Sequence, residues 1–95
     1  MRKYEVMYII RSEAEQETVQ AIVDKFNGII GNGGEVTKTD VMGKRRLAYE
    51  IDKSIRDGIY VLVHFNAPAE VIVELDRVMR ITDEIIRHLI VRDVA

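Results

Sequence analysis

The chain has 95 residues, a formal net charge of −2 and no cysteine. Such a length holds one hydrophobic core without metal or disulfide staples, and 47% hydrophobic beside 32% charged residues is ordinary for a soluble globular protein. The charge balance argues against a nonspecific nucleic-acid coat, and the absence of cysteine against a disulfide framework. The longest apolar run, Ile59 to Val63, falls far below the roughly 20 residues that a spanning helix needs. The opening Met-Arg-Lys-Tyr-Glu carries no signal-peptide core, so the expectation is one domain over residues 1–95 in a cytoplasmic protein.

From Lys3 to Ile10 the residues alternate, Tyr4, Val6, Tyr8 and Ile10 against Lys3, Glu5, Met7 and Ile9, which predicts a strand with the first set inward. Ser12 with Glu15 has the spacing of a capping box, and acids nearby suit a helix N-terminus. Val19, Ile22, Val23, Phe26, Ile29 and Ile30 then recur at steps of three and four, the stripe of an amphipathic helix. Gly31-Asn32-Gly33-Gly34 ends it with residues that tolerate positive φ. A phosphate loop is the wrong interpretation of these glycines, because such loops precede a helix and aim its first amides at the anion.

A second strand is predicted from Glu35 through Ile51. Its inward parity shifts between Val36 and Leu47, which places a bulge near Gly43. Lys53 to Gly58 makes the connection to a third strand, where Ile59, Val61, Val63 and Phe65 face one side and Tyr60, Leu62 and His64 the other. Asn66-Ala67-Pro68 starts a second helix with a buried stripe of Val71, Leu75, Val78 and Met79. Ile85 to Val94 reads as a fourth strand, with Ile86, His88 and Ile90 against Arg87, Leu89 and Val91. The order predicts an α+β, ferredoxin-like βαββαβ sandwich: a four-stranded antiparallel sheet with two helices on one face.

The face opposite the helices should be polar, yet Met7, Ile9, Tyr60, Leu62, Leu89 and Val91 are assigned to it by parity. A clustered apolar set on an uncovered face marks a partner surface. Cations gather at Arg2-Lys3, at Lys44-Arg45-Arg46, and along Arg77, Arg80, Arg87 and Arg92. RNA-recognition domains share the topology, but Asp57-Gly58-Ile59-Tyr60-Val61 lacks their stacking aromatics, so any RNA contact runs through phosphates and shape. His64 and His88 lie on different strands without metal-ligand spacing; no metal and no cofactor are expected. Arg11 sits where acylphosphatases of this topology hold a phosphate, but their glycine-rich loop is missing, and an enzyme is not expected.

Gly43, Arg45, Leu47, Ala48, Tyr49 and Ile51 fill the pattern Gly-x-basic-x-Leu-Ala/Ser-Tyr-x-Ile. With the opening Met-Arg-Lys-Tyr-Glu-Val and the Arg-Ile-Thr-Asp approach to strand four, the chain resembles the bacterial small-ribosomal-subunit protein six family over essentially its whole length. The resemblance implies a non-enzymatic ribosomal component that binds the central domain of 16S rRNA as a heterodimer with small-subunit protein eighteen. It also implies RNA contacts from Arg2, Lys3, Arg45, Arg46, Arg80 and Arg87. Thr82 departs from relatives that carry a second cation there. The alternative is a regulatory module of the same topology that binds a small molecule and dimerises through its sheet; it calls for a glycine turn after strand one, where Arg11-Ser12-Glu13 stands.

Overall fold

The first strand, β1 (Arg2–Arg11), forms where the alternation is strongest. Val6, Tyr8 and Ile10 are wholly buried on one side of it, and Tyr4 packs against the same core. The computed structural model describes residues 2–46 and 57–92, with 43–46 and 57 described through the backbone. After β1 come α1 (Gln16–Gly31), β2 (Glu35–Arg46), β3 (Asp57–Ala67), α2 (Ala69–Arg80) and β4 (Ile85–Arg92). The sheet order is β2-β3-β1-β4 with every neighbouring pair antiparallel, the ferredoxin-like arrangement. Leu47, Ala48, Tyr49 and Ile51 of the family motif lie outside the described residues.

Both helices bury the predicted stripes against one face of the sheet. Val19, Ile22, Val23, Phe26 and Ile30 of α1 are buried, with Ile29 half-buried beside them. In α2 the buried set is Val71, Leu75, Val78 and Met79. Phe26 meets Tyr8 edge to face at 5.2 Å, a favoured aromatic geometry. Burial, helped by the charge of Asp24, pushes the Tyr8 phenol above its usual range, so it stays neutral.

Four expectations are corrected. The capping box is absent: Ala14 N–H bonds to the Arg11 carbonyl in a turn, and the helix starts at Gln16 with Glu15 as an N-cap that makes no side-chain bond. The Ser12 hydroxyl instead donates to Glu13 at 3.4 Å. Asp57 and Gly58 belong to β3 rather than to the connection before it. In β4 the register slips between Ile9 and Ile10, so Ile85 rather than Ile86 packs on the helix-side core. Finally, α1 ends on Asn32 with φ −74°, and neither Gly33 nor Gly34 adopts the left-handed backbone. Gly34 is needed for space, since a Cβ there would lie 2.3 Å from the Asn66 carbonyl oxygen.

β2 holds the bulge expected near Gly43 and a second one before it, so the two face changes cancel and the register beyond Gly43 returns to the parity of Val36. Val36 pairs with Phe65 but Lys38 with His64, leaving Thr37 as an extra residue; Val41 pairs with Val61 but Gly43 with Tyr60, leaving Met42. Each extra residue turns the strand beyond it over, so that later side chains change face.

These glycine environments differ enough to test. A Cβ at Gly28 meets nothing within 4 Å, so Gly28→Ala should stabilise by up to about 1 kcal/mol through helix propensity. Gly34→Ala should instead cost roughly 1–3 kcal/mol, as overpacking does. Urea denaturation of both variants checks the pair, and equal effects would contradict the close approach at Gly34.

Candidate protein and nucleic-acid interface

Register across the sheet fixes what lies on the face away from the helices. Leu62 pairs with Met7, and Met7 with Leu89, so these three form one row across β3, β1 and β4. Neighbouring strands lie about 4.8 Å apart, so the row is a continuous apolar strip. Leu89 is 57% exposed and Val91 41%, while Met7 and Leu62 are half-buried. The next row holds Tyr60, Ile9 and Arg87.

The accessible patch is smaller than parity alone suggests. Ile9 and Tyr60 share this side of the sheet but are buried, at 2% and 9% exposure. For Ile9 the cause is Gly58, whose missing side chain lets Ile9 Cγ2 lie across the β3 backbone; a Cβ at Gly58 would be 2.2 Å from it. Ile9 is thus a packing residue, and a glycine diagonal to it in the register is the signal that could have shown this.

The six predicted cations do not form one cluster. Arg2 and Lys3, both exposed, start β1 opposite Ala67 and Asn66. Arg45 and Arg46 pair with Gly58 and Asp57 at the other end of the sheet, where Arg87 pairs with Ile9. Lys3 and Ile9 are six residues apart on β1, which separates the two ends by roughly 20 Å. Arg80 stands apart on α2, ion-paired to Asp76 at 2.9 Å, and the same carboxylate is 2.7 Å from His88 Nε2. Arg2, Lys3 and Arg87 have no carboxylate partner among the described residues. Arg77 is engaged with Glu74 at 2.6 Å, and that hydrogen bond holds the Glu74 carboxyl below its usual value.

Sequence reasoning missed one member of the Arg87 end. Arg11 is exposed and pairs with Gly58, the β3 residue that Arg45 pairs with from the other side. Its Nε donates to the Asp83 carbonyl at 3.0 Å, and its backbone N–H to the Glu84 carbonyl at 3.0 Å. The guanidinium is therefore held at the sheet end. Thr82, the departure from the family pattern, is buried, and its hydroxyl donates to the Val78 carbonyl at 2.6 Å to close α2. Among the described residues no group of three or more His, Asp or Glu is placed to hold a metal ion. No helix there is long and apolar enough to cross a membrane.

A family model for ribosomal protein S6 matches residues 3–92. The chain belongs to the ribosomal protein S6 family. It is 56% identical over 94 residues to the small ribosomal subunit protein bS6 of Desulforamulus reducens, covering 98% of each chain. Against bS6 of Carboxydothermus hydrogenoformans it is 50% identical over 94 residues, covering 98% of this chain and 97% of that one. The crystal structure of 30S ribosomal protein S6 from Thermotoga maritima superposes with a TM-score of 0.87 at 34% identity, covering 97% of this chain and 87% of that one. The S6 family consists of structural proteins of the small ribosomal subunit, not enzymes, and this chain is one of them.

The division of the uncovered face into packing and accessible residues predicts two different mutational costs. Ile9→Ala should destabilise by about 2–5 kcal/mol, as truncation of a buried side chain does. Leu89→Ala should stay within about 0.5 kcal/mol. Thermal or chemical unfolding distinguishes them, and a large loss at Leu89 would place that side chain in the core.

Proposed function

We propose that this chain enters the small subunit by binding the central domain of 16S rRNA together with small-subunit ribosomal protein eighteen, as a heterodimer. The observation that carries this reading is the Leu62–Met7–Leu89 strip, continued by Val91, on a sheet face that no element of the described chain covers. An exposed apolar strip with cations toward both ends of the sheet suits a protein partner in the middle and RNA phosphates at the margins. The family assignment supports the ribosomal setting. Arg2, Lys3, Arg45, Arg46, Arg80 and Arg87 are the proposed RNA contacts. Met7, Leu62, Leu89 and Val91 are the proposed partner contacts, with Ile9 and Tyr60 shaping the surface beneath them.

Few contacts are available to this chain alone, and phosphate affinity scales with the number of cations engaged. A docked basic partner adds its own, and joining the two sets gives the second a high effective concentration. RNA binding by the pair should therefore be cooperative. In gel-shift titrations with central-domain 16S rRNA, the two proteins together should bind far more tightly than either alone. Leu89→Asp should remove that gain while leaving the fold intact, because it buries an unpaired carboxylate only when the partner docks. Arg45→Ala with Arg46→Ala should flatten the salt dependence of the pair. Tight binding by this chain alone, unchanged by the partner, would overturn the reading.

A further inference from the structure

The Lys3 end of the uncovered face carries a hollow of about 400 Å³, lined by Lys3, Thr37, Lys38, His64 and Asn66 with the backbone neighbours Tyr4 and Phe65. Three strands build it. Lys3 pairs with Asn66 across β1 and β3, and Lys38 pairs with His64 across β2 and β3. Lys38 is there only because of the first β2 bulge. Val36 pairs with the inward Phe65, so without an extra residue Thr37 would take the place opposite His64, and Lys38 would fall opposite the buried Val63 on the helix side. The bulge is fastened by its own side chain, since the Thr37 hydroxyl donates to the His64 carbonyl at 2.9 Å. An inserted residue that re-aims one side chain is the usual purpose of a bulge beside a binding site.

The lining is suited to an anion. Lys3 and Lys38 are exposed with no carboxylate partner among the described residues, and Asn66 contributes an amide. Among the described residues Glu5 is ion-paired with a lining side chain, at 3.8 Å from His64 Nδ1, and it does not line the hollow. Glu35, opposite Asn66, is exposed and also outside the lining. We propose that this bulge-built hollow is a second RNA-backbone site, in which Lys38 and Lys3 hold a phosphate with Asn66 and His64 as further hydrogen-bonding groups. The proposal rests on the RNA-binding reading above and adds Lys38, His64 and Asn66 to it. Because the hollow lies roughly 20 Å from the Arg11–Arg45–Arg87 end, the two sites engage different stretches of the RNA on either side of the apolar strip.

The test uses the full chain with its heterodimer partner and central-domain 16S rRNA, and measures binding as a function of salt. Lys38→Gln should reduce the slope of log affinity against log salt by about 0.9, roughly a three- to fourfold smaller loss of binding between about 50 and 200 mM salt. Lys38→Arg should retain the parent slope. Deleting Thr37 should reproduce the Lys38→Gln slope with Lys38 still present, provided circular dichroism shows that the deletion folds. Absence of specific binding by the parent pair would bring down the RNA reading itself. Parent-like slopes in Lys38→Gln, with the parent pair binding well, would overturn this inference alone. Saturable binding of an acidic peptide, lost in Lys38→Gln while the RNA slope stays unchanged, would assign the hollow to a protein segment instead.

Discussion

The fold depends on β1 being apolar on both faces at once. Val6, Tyr8 and Ile10 fill the helix-side core, while Met7 and Ile9 serve the opposite side. Fully burying a side chain of this size contributes about 1.5–3 kcal/mol, so the helix-side set fixes the register of β1 against β3 and β4. A one-residue slip would turn it outward. Once that register is fixed, the positions of Met7 between Leu62 and Leu89, and of Ile9 between Tyr60 and Arg87, leave no further choice. The uncovered face is in this sense a by-product of the core, and its apolar strip is inherited from the strand that the core needs in the middle.

The edge strands are handled differently. β2 is interrupted twice, at Thr37 and Met42, and each interruption both re-aims side chains and spoils the regular row of backbone groups that an edge presents. β4 runs in unbroken register with β1 from Arg87 to Arg92, and carries Leu89 and Val91 exposed. A long, regular, partly apolar edge is a hazard in a free chain. Its retention on the same side as the Leu62–Met7–Leu89 strip is consistent with a chain that works inside an assembly, where such surface is covered.

Element types were legible in the sequence because they arise from periodicity. The α1 and α2 stripes have the 3.6-residue repeat and β1 and β3 the two-residue repeat; in β2 the bulge near Gly43 was expected, while the one at Thr37, which cancels its change of face, was not. What failed was chemistry with a local signature but a tertiary decision. Ser12 and Glu15 have capping-box spacing, yet the Arg11–Ala14 turn delays the helix. The glycines after α1 look like a left-handed cap, yet Gly34 answers to the Asn66 carbonyl from another strand. The apolar strip was visible from parity, but the burial of Ile9 over Gly58 was not, because it needs the two strands in register. The cations were visible as residues and not as places: sequence order sets Arg45 and Arg87 far apart and the sheet brings both to one end, where Arg11, weighed from the sequence only as an enzyme's phosphate-binding arginine, joins them.

A net charge of −2 is at odds with a surface for RNA until the charges are sorted by layer. Glu17 and Asp24 lie on α1, and Glu70, Glu74 and Asp76 on α2; of these Glu74 and Asp76 are already paired with Arg77 and Arg80. On the strands, Lys3, Arg11, Lys38 and Arg87 are exposed with no carboxylate partner among the described residues, and they share the sheet with the acids Glu5, Glu35 and Asp40. The shortest dimension of the molecule is 22 Å, more than twice the Debye length of about 8 Å at physiological salt. Acids on the helix layer are therefore largely screened from a phosphate approaching the sheet, while strand cations act on it at contact distance. The total charge of the chain averages two surfaces that an RNA never feels together. For a phosphate that meets this face, the local charge on the sheet counts for more than the total charge of the chain.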